Sequence, residues 1–208
     1  MGIELELSTS LGVRGNEPNK LVTEKCKKNP KLLNELIPVL NSKNKGLSAD
    51  AAEVFTELSL THPQQTAPYA EHLIPLLKNK NNRTRWEAMH TIALVASLRT
   101  ELIISLLPEL EQMIERDGSI IVRDYAVEAI ANFAGVNEVN AKTAFPILLR
   151  IAPLHDHRHA GRVLEGVLNC GEQSAGLRTE INKIAGSYCD HPKGVVNKTA
   201  KKIVKKFS

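Results

Sequence analysis

Aromatic side chains are scarce in this 208-residue chain, 4% of the total with Trp86 the single tryptophan, so no groove dense in aromatic rings can be built from it. Cysteine is scarce as well. Cys26, Cys170 and Cys189 are odd in number, widely spaced and in no CxxC pair, which points to reduced thiols and a cytoplasmic protein rather than a disulfide framework. Apolar runs such as Leu102 to Leu107 fall far below a spanning length, and the N-terminus lacks a basic stretch followed by an apolar core; neither export nor membrane insertion is expected. Charge of one sign is missing too: 27 Lys and Arg stand against 23 Asp and Glu, and a net +4 demands neither nucleic acid nor an anionic membrane as partner. There is no Gly-rich phosphate loop, no HExxH and no GxSxG, so catalysis has little support and no cofactor is expected. With 42% hydrophobic and 24% charged residues, the composition is that of a soluble globular protein.

What is present is a register. Ala51, Ala88, Ala126, Val163 and Ala200 are spaced 37, 38, 37 and 37 residues apart, and each opens a triplet of the same pattern. The triplets are Ala51/Phe55/Leu58, Ala88/Ile92/Val95, Ala126/Ile130/Phe133, Val163/Val167/Cys170 and Ala200/Val204/Phe207. A supersecondary unit stacked on copies of itself produces such a period. Each triplet lies on a segment of helical spacing, preceded across a polar break by another, which predicts five helical hairpins. The first helices are expected near 32–41, 69–79, 103–116, 143–152 and 179–189, and the second near 48–61, 83–98, 120–134, 158–170 and 194–207. A partial helix is expected at 19–28. The alternation Ile3-Glu4-Leu5-Glu6-Leu7 has no partner strand elsewhere and reads as part of an irregular arm.

Leu36-Ile37-Pro38-Val39-Leu40 and Leu73-Ile74-Pro75-Leu76-Leu77 place proline inside first helices, and Asp117 precedes Val122-Arg123-Asp124-Tyr125-Ala126-Val127-Glu128-Ala129-Ile130. These segments resemble the HEAT-repeat (armadillo-like) family, with Arg85 standing one repeat before Arg123. The likeness covers about 29–208; Ser48 and Ala160 replace that arginine in the first and fourth repeats, and the fifth first helix lacks the proline. The resemblance implies an all-α, right-handed α-solenoid of about five hairpins. It also implies that Arg85 and Arg123 bond acidic or carbonyl groups between neighbouring repeats. One domain is expected over 19–208, with repeats near 29–63, 68–98, 102–135, 140–172 and 177–208, and an irregular arm over 1–18. Such arrays mostly present a binding surface.

The stripe of each second helix not used for the core is the candidate surface. It reads Glu53 and Glu57, then Trp86 and His90, then Asp124, Glu128 and Asn132, then Glu165 and Asn169, then Lys198, Lys202 and Lys206. Four repeats are acidic or aromatic and only the last is basic, a pattern that repels a nucleic-acid duplex and attracts a peptide or protein with basic segments. Trp86 is the natural anchor, the competing reading being that it packs against a neighbouring first helix. The lysines of the last helix equally suit the polar outer face of a terminal repeat. His155, His157, Cys189 and His191 fall in loops of adjacent repeats and are candidates for a zinc or nickel site, although their spacing matches no known metal motif and no metal is assigned. The expected function is a noncatalytic protein-binding adaptor or scaffold. The alternative is a nucleic-acid-binding protein or a relative of the HEAT-like DNA glycosylases for alkylated bases, with Trp86 and Asp124 in the groove.

Overall fold

In a computed structural model the described residues are 2–208, and no strand occurs among them. They form two compact units, divided between Arg99 and Thr100.

The first unit opens with a 3-10 turn, Ile3–Glu6, and continues through α1 (Glu17–Lys28), α2 (Leu33–Leu40), α3 (Lys45–Thr61), the short α4 (Pro63–Thr66), a 3-10 helix (Ala67–Lys78) and α5 (Asn82–Val95). The N-terminal alternation is not extended: Ile3 and Leu7 are buried four residues apart while Leu5 is 48% exposed, which suits one helical turn. The arm is tied down by Ser8 N–H to Asn19 Oδ1 at 2.9 Å and Thr9 N–H to Asp50 Oδ2 at 2.8 Å. Pro38 lies inside α2 and Pro75 inside the 3-10 helix. A proline has no N–H to give and its ring crowds the carbonyl four residues back, so 67–78, with Pro68 and Pro75, winds as a tighter helix than the α-helix its spacing suggests. α3 packs against α1, α2 and α5, and α5 against the 3-10 helix.

The second unit comprises α6 (Thr100–Arg116), α7 (Ile120–Ala134), α8 (Glu138–Ile151), the turn α9 (Leu154–His157), α10 (Ala160–Gln173), α11 (Arg178–Ser187) and α12 (Gly194–Phe207). α10 packs on both α7 and α8, and Gly166 permits it: a Cβ there would stand 2.9 Å from Leu148 Cδ1 and 3.1 Å from Ala131 Cβ. α12 packs on α10 and α11.

The register residues build the core. All three residues of the first four triplets are buried, Val163 at 3% exposure being the least covered. In the last triplet Ala200 is buried but Val204 and Phe207 are only half-buried, with Ile203 taking the buried place. No helix among the described residues is long and apolar enough to cross a membrane.

Candidate partner-binding surfaces

In the first unit the stripe of α3 and α5 is partly consumed by internal pairing. Arg83, on the first turn of α5, reaches back to α3 with Nη1 2.9 Å from Asp50 Oδ1 and Nη2 2.6 Å from Glu53 Oε2. Glu53 also accepts from Asn19 Nδ2 at 2.6 Å and Asn16 Nδ2 at 3.2 Å, and it is only 8% exposed. Glu53 therefore does not face a partner as its place in the stripe suggests; a buried carboxylate must be paired, and the i, i+4 spacing cannot reveal the cation that comes from the next repeat. Burial works against the charge on Asp50, yet hydrogen bonds from Thr9 and Asn19 and the Arg83 guanidinium together hold its carboxyl below the usual range.

Glu57, Trp86 and His90 are half-buried. The Trp86 indole Nε1–H donates to Glu87 Oε1 at 2.9 Å, so its polar edge is satisfied within α5 while part of the ring stays accessible. Burial raises the Glu87 carboxyl above its ordinary value, against the opposing bonds from Trp86 and Thr56.

In the second unit, Asp124 and Glu128 of α7 are each met by a residue of the next repeat. His159 Nδ1–H donates to Asp124 Oδ1 at 2.6 Å, and Arg162 Nη1 lies 2.6 Å from Glu128 Oε2. Burial raises the Glu128 carboxyl, Arg162 acting in the opposite direction. Asn132 and Asn169 are half-buried, the latter donating from Nδ2 to the Ala131 carbonyl at 2.9 Å; Glu165, Lys198 and Lys202 are exposed. Asp124, Arg158, His159, Arg162 and Lys193 line a pocket of about 400 Å³ at the start of α10 and α12. Arg83, Glu87, His159 and Arg162 complete these clusters and were absent from the stripe read off the sequence. A partial signal was available in the residue just before three of the five register positions, where Asp50, Glu87 and Arg162 fall.

Arg85 and Arg123 bond within their own repeats rather than only between repeats. Arg85 Nη1 donates to the Asn79 carbonyl and Arg123 Nη1 to the Asp117 carbonyl, both at 2.9 Å and both six residues back. Each ties the start of a second helix to the turn before it.

The four candidate metal ligands do not converge. His155, Asp156 and His157 are left-handed, with φ of 52°, 54° and 55°, and this turn sends the side chains apart. His155 Nε2–H donates to the Ile114 carbonyl at 2.8 Å; His157 Nδ1 bonds the Tyr188 hydroxyl at 3.0 Å; Cys189 Sγ faces the Ala185 carbonyl at 3.6 Å. Among the described residues no group of three or more His, Cys, Asp or Glu is placed to hold a metal ion.

Solved structures share this architecture. A designed armadillo repeat protein in complex with peptide (KR)4 is 18% identical and aligns with a TM-score of 0.72 over 90% of this chain and 86% of its own. The chain has an armadillo-like repeat fold. Computationally designed armadillo repeat proteins for modular peptide recognition share that fold at 17% identity and a TM-score of 0.70, over 99% of this chain and 90% of theirs. An engineered protein does so at 15% and 0.70, over 100% and 99%. No family model and no curated protein matches the sequence. The all-α solenoid expected from the register is thus the observed fold class.

Proposed function

We propose that the chain is a noncatalytic scaffold that binds a peptide or protein segment carrying basic residues, in the cytoplasm, through the outer stripe of its second helices. The observation that carries this reading is the half-buried Trp86, whose indole N–H is already bonded to Glu87 while part of its ring remains accessible. An accessible indole presents apolar area to a partner without leaving a buried donor unmet, and a cation is attracted to its face. The likeness to designed proteins made for peptide recognition, one of them holding (KR)4, supports the same reading.

Pairing narrows the acidic stripe. Glu53, Asp124 and Glu128 are engaged by Arg83, His159 and Arg162, which leaves Glu57 in the first unit and Glu165 in the second as carboxylates for a basic partner. Calorimetric titration with an alternating Lys-Arg octapeptide tests this. Saturable binding that weakens several-fold in Glu57→Lys is expected from loss of charge complementarity. Preference for an acidic octapeptide would overturn this reading, and binding of duplex DNA with a steep fall in affinity on adding salt would replace it with the nucleic-acid one.

A further inference from the structure

The second helices differ in how they begin. Asn44 caps α3, Asn81 caps α5 and Ser119 caps α7, each side chain accepting from a first-turn backbone N–H. α10 and α12 begin on His159 and Lys193, and neither side chain caps its helix. Both uncapped ends, each opening a 14-residue helix, border the same 400 Å³ pocket, through Gly161 of α10 and Gly194 of α12. First-turn amides without an acceptor, at the positive end of the helix dipole, attract an anion.

The side chains around these ends are cationic. Arg158, Arg162 and Lys193 line the pocket. Arg158 and Lys193 are exposed, and among the described residues nothing pairs with either side chain. Arg162 spends Nη1 on Glu128. The pocket's own carboxylate, Asp124, is engaged by His159. His159 is 2% exposed, and its Nε2 is buried without a partner among the described residues. A shielded Nε2 cannot act as a base on a ligand, so the imidazole holds Asp124 in place and takes no part in chemistry.

The glycines add steric room. A Cβ at Gly194 would meet nothing within 4 Å, and one at Gly161 would just touch Val196 Cγ2 at 4.0 Å, so a methyl at either position would take up room beside the amides without disturbing the protein. Three cations and two helix ends exceed what the two carboxylates of Asp124 and Glu128 neutralise, guanidinium groups match phosphate oxygens bidentately, and the volume leaves space for an attached group.

We propose that this pocket binds a phosphate group, free or carried as a monoester, through Arg158, Arg162, Lys193 and the first-turn amides of α10 and α12. The assignment does not rest on the basic-peptide reading, since its three cations lie outside that stripe and its ligand has the opposite charge. The source of the phosphate is a phosphorylated side chain or a free phosphate ion.

The test is titration of the full chain with acetyl-Gly-phosphoserine-Gly-amide, its unphosphorylated counterpart, inorganic phosphate and acetate. One-to-one binding of phosphopeptide or phosphate is expected, with none of acetate or the unphosphorylated peptide. Arg158→Ala with Lys193→Ala should weaken it by about tenfold or more. Gly161→Ala with Gly194→Ala should weaken it with no loss of melting temperature, since alanine suits a helix better than glycine. Lys201→Ala with Lys205→Ala removes equal charge outside the pocket and should change affinity by less than about twofold at physiological salt. Tighter phosphopeptide than phosphate binding identifies a phosphorylated segment, and equal binding identifies the free ion; both uphold the site. It is overturned by no saturable binding at about 10 mM of either, by acetate binding as well as phosphate, or by equal losses in the two lysine- and arginine-directed variants.

Discussion

Arg83 and Asp50 are joined across two repeats, Nη1 to Oδ1 at 2.9 Å, with the aspartate 1% exposed. The same guanidinium holds Glu53, so one cation neutralises two buried carboxylates of α3. Removing one partner of a buried pair costs about 3–5 kcal/mol because the remaining charge is stranded. With the Arg83 side chain 35% exposed, water offsets part of this, and Arg83→Met should cost about 2–3 kcal/mol in urea denaturation. A change below about 0.5 kcal/mol, the size of an ordinary surface substitution, would mean that the pair does not hold α5 to α3.

Ile130 lies fully buried in α7, whereas Val204 of the last repeat is half-buried. Ile130→Ala should therefore destabilise by about 2–5 kcal/mol. Val204→Ala should cost distinctly less. Equal costs would mean that the register packs as tightly at its last repeat as in its middle.

The Glu87 carboxyl is raised by burial, so the native state holds its proton to higher pH than the unfolded chain does. Stability then falls as pH rises from the ordinary glutamate range, about 4.3, through the raised folded value, and the loss persists at pH 7. Glu87→Gln keeps an oxygen acceptor for the Trp86 indole and removes the charge. Its melting temperature should exceed that of the parent at pH 7, with the difference disappearing near pH 4. A lower melting temperature at pH 7 would show that the charged form is the favoured one.

Asp156 sits at the centre of three successive left-handed residues. A left-handed residue other than glycine costs roughly 1–2 kcal/mol, less for aspartate, so Asp156→Gly should raise stability by up to about 1 kcal/mol. A destabilised variant would show that the Asp156 side chain contributes more than its backbone conformation costs.

The core was legible because one 37–38-residue spacing names the buried positions of α3, α5, α7 and α10 directly. It misplaced only the end, where Ile203 rather than Val204 turns inward. The surface was harder. Glu53 and Glu128 share one register position and both look free, but the cations that engage them stand at different offsets, 30 residues on at Arg83 and 34 on at Arg162. Long side chains choose partners by direction and reach, which a linear period does not encode. The turn at His155–His157 was equally hidden: its residues are not glycine, and their left-handed backbone is what turns His155 to Ile114 and His157 to Tyr188.

Trp86 is the only tryptophan, so its fluorescence reports on the proposed surface without labelling. Titration with the alternating Lys-Arg octapeptide should shift its emission along a saturable curve, whose affinity matches the calorimetric value and is several-fold weaker in Glu57→Lys. An emission unchanged at saturating peptide, or a curve indifferent to Glu57→Lys, would contradict a basic segment docked on the stripe of α3 and α5.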